Sequence, residues 1–236
     1  MADLILDVDK VAGTIDLLRR RVQERFPDSG LARACGELDR IAEQTRERAA
    51  WIGKPILGLR IASAALVALI LAGLAVTLAS LRAPSEGFSL IAFIQVLESG
   101  INDVVLIGAA VFFLVTIETR IKRGRALAAI RELRALAHII DMHQLTKDPE
   151  WLFARGETSE LLPRRRMTRF ELSRYLDYCT EALSLTAKLA ALYIQGFDDD
   201  VALAAVDEIE SLTNGLSRKI WQKLMILHAL EPEAPA

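Results

Sequence analysis

IASAALVALILAGLAVTLASL, residues Ile61–Leu81, decides the fold: its twenty-one residues carry no charge, and Arg60 and Arg82 bracket them. As a helix at about 1.5 Å per residue the stretch is roughly 31 Å long, the thickness of a bilayer's hydrocarbon core. It reads as a membrane span, and the rest of the chain can be placed relative to it.

A second span is expected at Ile101–Ile121. Only Val104 to Ile117 is free of charge there. Asp103 falls in the first turn, where the helix dipole favours an anion. Between the two spans, Ala83, Pro84 and Gly87 mark a break. Phe88–Leu97 (FSLIAFIQVL) is apolar but too short to cross, so it reads as an interfacial or re-entrant segment closed by Glu98, Ser99 and Gly100. Ala65, Ala68, Ala72, Ala75 and Ala79 form a stripe of small side chains on the first span, expected to seat the second.

Lys and Arg counts set the orientation. Arg46, Arg48, Lys54 and Arg60 precede the first span, and Arg120, Lys122, Arg123 and Arg125 follow the second. The connection has Arg82 against Glu86, Glu98 and Asp103. Both termini are therefore expected in the cytoplasm of a multi-pass protein of a bacterial-type inner (plasma) membrane. The opening MADLILDVDK is acidic where a cleavable signal peptide would be basic. Two charge pairs suggest themselves across the antiparallel spans, Arg60 with Glu118 and Arg82 with Asp103. Straight helices cannot align both, and the membrane ion pair expected is Arg60–Glu118.

Outside the spans the apolar pattern changes from continuous to periodic. Val8, Val11, Ile15, Leu18, Val22 and Phe26 share a helix face, which Pro27 ends; Leu31, Ala34, Leu38, Ile41 and Thr45 repeat the spacing. The second span continues in pattern through Ala126, Ile130, Leu133, Ala137 and Ile140, a stalk expected to reach about Gln144. The first span is expected to be continuous with the helix before it. Thr168 and Glu171 have capping-box spacing, and Leu172, Tyr175, Leu176, Cys179, Leu183, Thr186, Ala190 and Tyr193 line the helix they open. Asp198, Asp199 and Asp200 can cap the last helix, whose stripe reads Val201, Ala205, Ile209, Leu212, Leu216, Ile220, Leu224 and Leu227. The fold expected is all-α: a two-span integral membrane protein with a cytoplasmic amphipathic, coiled-coil-like helical bundle. Its domains are a helical pair at 1–54, a membrane region at 55–121 (spans 61–81 and 101–121, interfacial segment 88–97), a helical region at 122–229 and a disordered tail at 230–236.

Composition agrees. Of 236 residues, 52% are hydrophobic and 25% charged, which fits a helical body with a membrane insert better than a many-spanning transporter. A formal charge of −2 argues against nucleic acid as a partner. The expected partners are the lipid bilayer and either further copies of the chain or a membrane or cytoplasmic protein. No cofactor is expected.

Candidate chemistry is sparse. His138, Asp141 and His143 form the densest polar cluster, but without an HExxH pattern or a cysteine the metal reading is weaker than a polar helix end. The Arg131–His138 spacing, R-x6-H, resembles that of helical-bundle ribonucleases of the HEPN class, and would imply a nuclease using His138. Arg164, Arg165, Arg166 and Arg169 form the one concentrated basic patch, a candidate for anionic lipid. Cys35 and Cys179 fall on apolar stripes and read as reduced core residues. The function expected is a membrane-anchored helical interaction or scaffold protein, with a self-assembling pore or stress effector as the alternative and a membrane-bound nuclease or metal enzyme behind it.

Overall fold

The computed structural model describes residues 5–80, 90–147 and 167–229, and 90% of them are helical, with no strand among them. The helices are α1 (Val8–Arg25), α2 (Gly30–Gly53), α3 (Leu57–Ser80), α4 (Leu90–Leu145), α5 (Arg169–Ile194) and α6 (Asp200–Ala229). They divide into two compact units, one of Lys54–Lys122 and one of Met1–Gly53 with Arg123–Ala236.

Side-chain bonds give the topology of the larger unit. Arg19 pairs with Asp39 and Arg46 with Asp9, so α1 and α2 are antiparallel. Arg21 reaches Glu181 while Phe26 meets Tyr175 edge-on at 5.3 Å, so α5 is antiparallel to α1. The Thr45 and Tyr193 hydroxyls are 3.2 Å apart, which sets α5 alongside α2. The end of α4 runs parallel to α6, with Arg123 on Asp199, Arg134 on Glu208 and Lys223 on the Gln144 carbonyl, at sequence offsets of 76, 74 and 79 residues. Arg40 and Arg48 on α2 both reach Glu132 on α4. The result is a bundle in which α1, α2 and α5 pack on one another and α6 packs on α5, with the end of α4 joined to α2 and α6 by side-chain bonds.

The core is the inner stripe of each helix. Ile15, Leu18, Leu38, Leu133, Leu176, Leu183 and Ile220 are each at most 1% exposed, and all of them lie on stripes that the periodicity identifies. Burying one such side chain contributes about 1.5–3 kcal/mol. On α6 the stripe starts one residue later than the periodicity puts it: Val201 is exposed, and Ala202, Val206 and Thr213 are inside. Thr213 is tolerated there because its hydroxyl donates to the Ile209 carbonyl at 3.0 Å.

Caps fix the helix ends. The Asp7 carboxylate accepts from the amides of Asp9 and Lys10, and the Ser29 hydroxyl accepts from Ala32 N at 3.0 Å. The Thr168–Glu171 capping box is complete in both directions.

The smaller unit is α3 with the first part of α4. Both helices are long and apolar enough to cross a membrane, and none of their apolar windows is buried inside the protein. Three features differ from the sequence reading. Leu90–Leu97 is not a separate segment, because α4 runs unbroken from Leu90 through Gly100 to Leu145; a lone glycine costs a helix about 1 kcal/mol, too little to break one this long. The helix before the first span is not continuous with it, since Lys54, Pro55 and Ile56 separate α2 from α3. The alanine stripe does not seat the second span: Ala65, Ala68, Ala72 and Ala75 are exposed, while Ser63, Val67, Ile70 and Leu74 are the half-buried face. The Ser63 hydroxyl donates to the Leu114 carbonyl at 3.5 Å.

Candidate functional site

In the smaller unit, Glu118 is the focus. Arg60 Nε lies 2.5 Å from Glu118 Oε2 and Arg60 Nη2 lies 3.1 Å from Oε1. Lys122 Nζ, one turn further along α4, lies 2.9 Å from the same Oε1. The amide of Ile56, just ahead of α3, also donates to that oxygen at 3.4 Å. Ile56 has no side chain able to cap a helix, so Glu118 supplies the acceptor and negative charge that the first turn of α3 lacks. The carboxylate is 13% exposed, so few of its hydrogen-bonding positions face outward.

In the larger unit, three contacts fasten the start of the α4 segment. Arg123 grips Asp199 through Nε at 3.0 Å to both oxygens and through Nη2 at 2.8 Å. Asp199 also caps α6, accepting from Ala202 N at 3.0 Å. The Arg123 guanidinium beside it, aided by the Ala202 and Val201 amides, holds the Asp199 carboxyl below its ordinary 3.8 against the effect of burial. Arg125 stacks over Trp51 at 3.8 Å from the ring centre and donates to the Trp51 carbonyl. Two turns beyond Arg125, Glu132 takes Arg40 and Arg48 together. Burial pushes its carboxyl up, but the two guanidinium groups outweigh that and hold it below the ordinary carboxylate range.

The sequence-derived candidates fare unevenly. His138, Asp141 and His143 do not converge: His138 is exposed, Asp141 accepts from Gln144 Nε2 at 2.7 Å, and the His143 ring packs on Gly30. Among the described residues no group of three His, Cys, Asp or Glu is placed to hold a metal. Arg131 is exposed and donates to the carbonyl of Leu127. Of the basic patch, Arg164, Arg165 and Arg166 lie outside the described residues, as does Arg82. Arg169 donates to the carbonyls of Leu227 and His228 at the end of α6. Cys35 and Cys179 are both buried and free; burial pushes the Cys35 thiol up to about 12 and raises that of Cys179 further. Neither thiol is disposed to ionise near neutral pH.

Sequence reasoning missed Asp199 as the partner of Arg123, Glu132 as the meeting point of two arginines, and Gly30. The first had a signal, since an acidic cap ahead of a helix suits an arginine as well as backbone amides. The others had none, because neighbours 84 and 92 residues away cannot be paired from one sequence. What the arrangement does chemically is hold helix ends through part-buried, charge-assisted bonds.

No protein-family description, curated protein or solved structure matches this chain.

Proposed function

We propose that the protein is a membrane-anchored interaction or scaffold module. In this reading α3 and the first part of α4 form a hairpin in a bacterial inner membrane, and the five-helix bundle stands on the cytoplasmic side with both termini. The observation that carries it is a contrast in burial. No residue in the apolar windows of α3 and α4 is fully buried, whereas the bundle closes its apolar stripes inside. In water such an outward face would be strongly disfavoured, so it needs a bilayer or a protein around it. The clamp on Glu118 fits an interface, where cations meet lipid headgroups and a carboxylate keeps its partners.

A topology experiment tests the anchor. A Ser85→Cys variant is exposed to a membrane-impermeant maleimide in intact spheroplasts. Labelling from outside is expected, and labelling only after lysis would overturn the topology. The scaffold role is tested by chemical cross-linking in native membranes followed by mass spectrometry, with partners or further copies expected on bundle surfaces. A chain that stays monomeric and uncross-linked at native abundance would sink it.

A second reading, self-assembly within the bilayer, is favoured by the exposed alanine stripe of α3. Small residues let helix backbones approach closely in lipid. Substituting Ala68 and Ala72 with leucine should then reduce oligomers in micelles. If the assembly is a pore, the wild-type chain releases a dye from liposomes and the double variant does not.

A further inference from the structure

His143 has no role in either reading, yet its setting is specific. Its ring sits against Gly30, the first residue of α2, so closely that a Cβ built on Gly30 would fall within the imidazole, meeting Cε1, Nδ1 and Nε2. Any larger residue at position 30 would force the His143 ring to move. The ring thus rests on the first turn of a helix, where the helix dipole presents positive charge.

The charges around it have the same sign. On α2 the facing group is Arg33, in the same turn. Just past the end of α4 it is Lys147, whose ammonium also lies 5.6 Å from the Tyr175 ring centre on α5. From α6, Lys223 enters the same corner and donates to the carbonyls of Gln144 and Lys147 at 3.0 and 3.2 Å. The one nearby acid on α4, Asp141, is engaged by Gln144 Nε2. Tyr175 is kept un-ionised by burial and adds no negative charge.

We propose that His143 is an acid-sensitive latch between the end of α4 and the start of α2: neutral, it packs on Gly30 and closes the corner; protonated, it adds a cation to a corner that already holds Arg33, Lys147 and a helix N-terminus, and the corner opens. Burial, then Arg33, then Lys147 hold the imidazole below its ordinary 6.5, in keeping with that geometry. The unfolded or opened chain therefore binds the proton more readily. The corner keeps its full stability above about pH 6.5 and loses it as the pH falls toward the folded value.

The full chain in detergent micelles tests this. Thermal midpoints at about pH 7.5 and about pH 5.5, either side of a free imidazole's titration, are compared for the wild type and for His143→Gln, His138→Gln and His228→Gln, which together cover every histidine. The wild type, His138→Gln and His228→Gln are expected to show the same downward shift in acid, and His143→Gln a smaller one. Lower protection factors at the first turn of α2, after correction for the intrinsic pH dependence of amide exchange, should accompany the wild-type shift. An undiminished shift in His143→Gln overturns the latch. If His143→Gln fails to fold, the wild-type ring decides by NMR: a titration midpoint at or above that of a free imidazole overturns the proposal, and one below it supports it.

Discussion

The two units use the same residues to opposite ends. Leucine and alanine dominate both α3 and the bundle helices, yet Leu183 on α5 is fully buried and Leu69 on α3 is 69% exposed. The difference is one of pattern. In the bundle, apolar positions recur every three or four residues and charges fill the gaps, so each helix has one face to hide. In α3 there is no gap, so no turn of the helix can hide one face and wet another. Periodic hydrophobicity specifies a protein core; continuous hydrophobicity specifies an environment.

Mutations can break that comparison. The largest effect is expected for Leu183→Ala, which leaves a cavity in a filled core and should cost about 2–5 kcal/mol in chemical unfolding of the bundle. Leu69→Ala, the same change on α3, should leave that transition unmoved; an equal loss would mean that α3 packs as a soluble core helix. Next comes Leu69→Arg, which places a charge mid-span. It should disfavour insertion by about 2.5–3.5 kcal/mol and move chain from the membrane pellet to the soluble or degraded fraction. Unchanged fractionation would remove the span from α3.

Asp199→Ala takes away a helix cap worth about 1 kcal/mol together with the partner of Arg123, so α6 should fray first in hydrogen exchange. Because the Asp199 carboxyl titrates below 3.8 in the folded chain, its contribution is present above that pH and is lost as pH falls through the folded value. Wild type and variant should therefore converge in strong acid. The smallest effect is expected for Arg134→Ala. Its ion pair with Glu208 is exposed on both sides, and a loss beyond about 0.5 kcal/mol would show that the α4–α6 seam depends on surface charge.

Much of this was legible in the sequence, for identifiable reasons. Stripes such as Val11–Ile15–Leu18–Val22 repeat often enough to fix helix and face together. The Thr168–Glu171 box is local and so readable. Failures came where local rules compete or stop. At the start of α6 the stripe slips by one residue, because Val201 and Ala202 fit equally well until a partner helix chooses. On α3, small residues suggested a packing seam, but larger side chains at Val67, Ile70 and Leu74 took that role. Gly100 and Pro55 show the asymmetry of punctuation: a glycine within strong helical context is overridden, whereas a proline removes a donor and clashes with the preceding turn. Of the site, only charges close to helix ends could be foreseen; the meeting of Arg40, Arg48 and Glu132 depends on α2 and α4 lying side by side in the folded bundle.

The two buried thiols make the chain a convenient reporter of itself. Cys35 and Cys179 are the only cysteines, and both are sealed in the core and held protonated. A maleimide or spin label at neutral pH will pass them by while the bundle stays folded. Any single cysteine introduced on the surface can then be read without first stripping the native ones, and the moment Cys35 and Cys179 begin to react marks the opening of the core.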